Sequence, residues 1–157
     1  MKREKVISIL HFCRDIDKDI KLNDRIIKNL EDQYYTTLGA VNMDGMPHAS
    51  GGAASPVEQA VLNVPRSVTS TIDKLKRQNK TLAEIKAEIV SELNRLNHQE
   101  KAVIWGFYIE GQQWERISRQ LHYSPRQCRN FRNRALDRLG TIFSQNEKIE
   151  NNLFPEK

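Results

Sequence analysis

The chain lacks several things that would define other classes of protein. It has no run of eighteen apolar residues, the length a membrane-crossing helix needs. Its start, MKREKVISILHFCRDIDKD, meets acids where a signal peptide would carry an unbroken apolar stretch and a small-residue cleavage site. A soluble, cytoplasmic protein with no membrane partner is expected. Cysteine is scarce: Cys13 and Cys128 lie far apart, outside any CxxC pair, so neither a disulfide framework nor a zinc site is suggested, and both are expected as small reduced core residues. The histidines, His11, His48, His98 and His122, are scattered, and no metal site is expected. There is no HExxH, no GxSxG and no placeable Ser/His/Asp set. The Gly51–Gly52 pair lacks the GK[ST] ending of a phosphate loop. No enzyme and no cofactor are expected.

No alternating pattern reads as a strand, which leaves an all-α fold. From Arg3 to Leu38 apolar residues recur at heptad spacing, Val6, Cys13, Ile20, Ile27 and Tyr34 in one row and Ile9, Ile16 and Leu30 in the other, with Asn23 breaking the second. Such a stripe needs burial against another helix. The first segment, 1–38, is therefore expected as one long helix. Residues 39–55, GAVNMDGMPHASGGAAS, carry Gly39, Gly45, Gly51, Gly52 and Pro47 and read as a flexible linker.

A second arm is expected over 56–97, opened by a Ser55–Glu58 capping box with Pro56 at the first helical position, and kinked near Pro65. Its row Val61, Val68, Leu75, Leu82, Ile89 and Leu96 keeps seven-residue spacing. QNKT at 78–81 and a Thr81–Glu84 capping box predict a break midway. Two such arms joined by a flexible loop make a helical hairpin, or a coiled-coil seam that also joins two chains, for which Asn23 would set the register.

Lysine is missing where positive charge is densest. Residues 111–139 hold seven arginines, no lysine and only Glu115 and Asp137 as acids, so this one segment supplies the net charge of +5. Arginine presents a planar fork of donors suited to phosphate oxygens and the guanine edge, which makes the segment a nucleic-acid footprint. The local pattern over 98–140 predicts a three-helix module, with 141–157 as a tail. A helix from His98 to Tyr108 exits at Gly111. A second, Trp114 to Leu121, buries Trp114, Ile117 and Leu121. After the turn HYS, Ser124 caps a third with Pro125 in its first position and Cys128, Phe131, Ala135 and Leu139 facing inward. Trp105 and Trp114 are expected in the core rather than as base-stacking platforms, and Tyr123 is expected to close the small core with Leu121.

The last two helices, joined by a short turn, constitute a helix-turn-helix. Its outward face predicts base-edge readers at Arg126, Gln127, Arg129, Asn130 and Asn133, because Arg and Asn or Gln bond guanine and adenine edges bidentately. Arg116, Arg119, Arg132, Arg134 and Arg138 are assigned to phosphates, which position the protein without reading sequence.

The run WERISRQLHYSPRQCRNFRNRALDRL resembles region four of bacterial sigma factors, in which an Ile-Ala-x-x-Leu helix, a turn ending in Ser and a recognition helix ending in Arg-Ala-Leu-x-Lys-Leu recur. Here those positions are Ile117, Ser118, Leu121, Ser124, Arg134, Ala135, Leu136, Arg138 and Leu139. The resemblance implies base contacts from Pro125, Arg126, Arg129 and Asn130. Where family members often carry Arg then Glu after the Ser, this chain has Pro125 then Arg126. The layout of helical arm, linker MDGMPHASGGAASPVEQAV and terminal module is similar to phage and prophage late-gene regulators of the ArpU/RinA type. That resemblance implies an activator of late phage genes. The expected partner is double-stranded DNA in a bacterial host's cytoplasm, with the N-terminal helices expected either to join a second copy of the chain or to contact host RNA polymerase. Two other readings share the helix-turn-helix: an adaptor bound to RNA polymerase without DNA specificity of its own, and a DNA-packaging protein resembling a small terminase subunit.

Overall fold

The computed structural model describes the backbone of residues 1–42 and 56–152, and the side chains of residues 1–36 and 66–150. Among the described residues there are six α-helices and no strand: α1 (Arg3–Asn42), α2 (Pro56–Leu93), α3 (His98–Ile104), α4 (Trp114–Leu121), α5 (Pro125–Ser144) and α6 (Glu147–Asn152). A π-helical turn, Trp105–Ile109, continues α3. The expected all-α class holds. Most of the expected linker, the Ser55–Glu58 capping box and the side chains of Val61 and Pro65 lie outside the described residues.

The chain divides into two compact units, one of Met1–Asp17 with Leu82–Lys157 and one of Lys18–Thr81. In the first, α1 contributes Val6, Ile9, Leu10 and Cys13, the i, i+3, i+4, i+7 set of one helical face, all fully buried. These pack in one core with Ile89 and Leu93 of α2, Ile104, Tyr108, and Ala135, Leu136 and Leu139 of α5. The sequence pattern divides the chain at 97/98 and 140/141, whereas this core runs across both places. Residues expected as a tail extend α5 to Ser144, and Ile142, Phe143 and Ile149 are buried in the same core. The apolar spacing that starts α5 simply continues past Leu139. Gly140 permits close approach, because a Cβ there would lie 2.7 Å from the Met1 carbonyl oxygen.

α3 is capped by Asn97, whose side chain accepts the Glu100 backbone N–H at 2.9 Å. The π-helical turn is closed by the Glu110 N–H bonding Trp105 O at 3.0 Å. Its widened backbone buries Tyr108 in the main core and leaves Phe107 packed against both that core and a smaller cluster beneath α4 and α5. Gly106 sits where α4 crosses closely, since a Cβ there would meet Ile117 Cγ1 at 3.3 Å. Gly111, at φ +67°, ends the segment in the left-handed geometry that favours glycine.

In the second unit α1 and α2 pair in opposite chain directions. Asn23 donates to Asn79 Oδ1 at 2.8 Å, Asn79 donates to Asp24 at 2.8 Å, and Lys76 approaches Glu31 at 3.8 Å. Ile27 and Ile72 are buried between them. The predicted interruption at 78–81 does not occur, and α2 runs unbroken through it. Thr81 Oγ1 instead donates back to Arg77 O at 3.1 Å, an i−4 bond compatible with a continuing helix. Asn79 finds its partners on α1, so the polar run costs the helix little. α1 likewise extends four residues beyond Leu38, to Asn42, because helix propagation does not stop where an apolar stripe does.

Candidate nucleic-acid interface

α4 and α5 are joined by three residues. His122 terminates α4 in left-handed geometry (φ 57°, ψ 36°), and its N–H bonds Ser118 O. The Ser118 hydroxyl donates to Tyr123 O, tying the turn to the helix it leaves. Ser124 then caps α5 by accepting the Gln127 N–H at 3.2 Å, with Pro125 in the first turn. These two devices end one helix and start the next within three residues. Beneath the turn lies a small core of Val103, Ile117, Cys128 and Phe131, against which Phe107, Trp114 and Leu121 pack. Burial raises the Cys128 thiol pKa, so it stays a neutral packing group. Tyr123 is 40% exposed and meets Phe131 edge-on at 5.0 Å, whereas the sequence suggested that it closes the core with Leu121.

Of the expected base readers, Arg126, Arg129 and Asn130 are exposed on the first half of α5, and Gln127 and Asn133 are half-buried beside them. Asn130 donates to Gln127 Oε1 at 3.4 Å. Of the expected phosphate ligands, Arg116, Arg119 and Arg134 are exposed and Arg132 is half-buried. Arg132 bonds Asn133 Oδ1 through both Nε (3.2 Å) and Nη2 (2.9 Å), which ties up one candidate with another. Arg138 donates to Glu100 Oε2 at 2.8 Å. Among the described residues, Arg116, Arg119, Arg126, Arg129 and Arg134 have no acid within ion-pair distance. Asp137, one of the two acids of the segment, is bound by Arg3 of α1 at 2.6 Å through two parallel bonds, and this contact holds its carboxyl below the ordinary range. The positive dipole end of α5 adds to the local field.

Three features escaped the sequence reading. Asn97 and Glu100 have the spacing of a capping box, and that signal was present in the chain. The burial of Glu100 under α5 had no local signal. Nor did the ring partners of Trp114, which packs against the small core as the spacing predicts: it stacks on Phe107 (4.3 Å, 18° between planes) while the guanidiniums of Arg129 and Arg132 lie 5.8 and 5.6 Å from its centroid.

No cluster of ligating side chains suited to a metal ion occurs among the described residues, and no described helix is long and apolar enough to cross a membrane. No family model, curated protein or solved structure matches this chain.

Proposed function

We propose that this chain is a sequence-specific double-stranded DNA-binding regulator of transcription, acting in a bacterial cytoplasm without enzymatic activity or a cofactor. In this reading the segment from α4 to α5 is a helix-turn-helix and the start of α5 enters the major groove. The arms α1 and α2 form a hairpin that joins two copies or touches host RNA polymerase. The resemblance to sigma region four and to phage late-gene regulators makes late-gene activation the specific role. One observation carries the reading: Arg126, Arg129 and Asn130 project together from a capped helix start, exposed and without acidic partners, with Arg116 and Arg119 exposed on the helix before it. Guanidinium and amide groups so placed suit guanine and adenine edges, and the flanking arginines suit phosphates.

Selection of bound duplexes from a random pool, followed by anisotropy titrations on the selected and scrambled sites, tests this. A preferred sequence and a log–log salt slope of about −3 to −5 are expected. Equal, weak binding to every duplex with no recovered consensus overturns it. A two-fold symmetric consensus would mark dimeric reading.

The adaptor reading is favoured by a different observation, the exposure of Leu22, Ile26 and Tyr35 on α1 in the second unit, since apolar groups left in water invite a protein partner. Co-purification with RNA polymerase by a protein that shifts no free DNA would select it.

A further inference from the structure

The indole of Trp114 stands between an aromatic neighbour and two guanidiniums. Phe107 stacks on it at 4.3 Å, and Phe107 is held edge-on by Tyr108 at 5.0 Å, a residue buried in the main core. The ring is thereby fixed relative to the protein interior. Around it lie Arg129 and Arg132, three residues apart on the same side of α5. Arg132 has a second hold, its two bonds to Asn133. Arg129 is exposed and stands beside Asn130 on the face assigned to base reading. An exposed arginine spends most of its time in many rotamers, and ordering it on a base edge costs entropy at the moment of binding. Contact with the electron-rich face of a fixed indole removes part of that cost in advance.

We infer that Trp114 is a positioning residue for the recognition helix: pinned by Phe107, it holds the Arg129 guanidinium ready for a base edge, while Arg132 is held along α5 by its two bonds to Asn133. The inference rests on the DNA-binding reading above and adds to it a determinant that touches no DNA. It also accounts for the ring lying half-buried beside the small core, stacked on Phe107 with two guanidiniums 5.8 and 5.6 Å from its centroid.

The test compares Trp114→Leu with Trp114→Phe in the full chain. Leu keeps an apolar packing group but has no aromatic face, whereas Phe keeps one. In the wild type the Arg129 and Arg132 Nε–H resonances should be displaced by the indole ring current, and Trp114→Leu should return them toward ordinary arginine positions. With folding verified by melting, Trp114→Leu should weaken binding to the selected site about three- to tenfold, leave binding to scrambled duplex unchanged, and add nothing to the loss caused by Arg129→Ala. Trp114→Phe should recover most of the loss. Ordinary Arg129 and Arg132 shifts in the wild type, equal losses on both duplexes, or additivity with Arg129→Ala overturns the inference. If instead the shifts are displaced but the wild type prefers no sequence, the DNA-reading proposal fails at its own step, and the positioning role falls with it.

Discussion

Arg138 Nη1 lies 2.8 Å from Oε2 of Glu100, linking the second half of α5 to the first turn of α3. The pair is lopsided: the Glu100 side chain is 1% exposed and that of Arg138 is 57% exposed. Glu100 Oε1 has no hydrogen-bond partner among the described residues. A carboxylate so enclosed depends on its single arginine. The sequence assigned Arg138 to a phosphate, and the tertiary contact gives it a second duty as the counterion of a buried acid.

Arg138→Met should therefore act on stability. Removing one member of a buried pair leaves an uncompensated charge at a cost of 3–5 kcal/mol in general, and the exposure of Arg138 reduces the expectation to roughly 2–3 kcal/mol. Denaturant unfolding should register that loss, and replacing both residues by leucine should recover much of it. A single variant as stable as the parent would remove the pair from the fold's supports.

The two groups of arginines should separate in binding titrations. Arg126→Ala should cost about 1–3 kcal/mol and relax preference at one base pair, because a base contact is lost. Arg119→Ala should weaken selected and scrambled duplexes alike and make the salt slope shallower by about one. Equal losses on all duplexes from both variants would refute the division of roles.

Cys13 is buried in the main core, and desolvation pushes its thiol pKa from 9.0 up to about 11. A folded-state value above the unfolded one means that the thiol's contribution is fully present below about 9 and is lost as pH rises through about 11. Alkylation at pH 8 should accordingly follow global or local opening rather than thiolate chemistry. Its rate should rise with denaturant in step with unfolding. Rapid modification of the native protein at pH 8 would contradict the burial.

Carboxyls on two elements respond in the opposite direction. Asp137, bonded by Arg3, and Glu88, bonded by Asn146 and Lys148, are both held below the ordinary carboxylate range. Their stabilisation is present above that range and is lost as pH falls through the depressed values. Melting temperature should drop on acidification below about pH 4, and Asp137→Asn should blunt that drop. An unchanged acid profile in the variant would show that the Arg3 contact carries no folding free energy.

Ser124→Ala removes the side-chain acceptor for the Gln127 N–H and should cost about 1 kcal/mol. It should also weaken DNA binding beyond that figure's effect on folding, since the capped turn aims Arg126. Binding that stays at the parent level on the selected site would separate the cap from the interface.

Much of this protein is legible locally. The bounds of α4, the Ser124 cap, Pro125 and the inward row Cys128, Phe131, Ala135 and Leu139 follow from turn chemistry and helical spacing, which depend on neighbours within a few residues. The same spacing placed Arg126, Arg129 and Asn130 outward. Where local signals misled, a distant partner was the reason. QNKT reads as a break until Asn79 meets Asn23 and Asp24, and the residues after Leu139 read as a tail until Ile142, Phe143 and Ile149 join a core built partly by α1.

Sequence alone decided where helices start and which of their sides shun water, because backbone hydrogen bonding and side-chain periodicity act over one or two turns. Tertiary packing decided which arginines remain available. Whether a guanidinium meets a carboxylate, an indole or open solvent depends on residues such as Glu100 and Trp114 that are remote in the chain, and no short-range rule can supply that meeting.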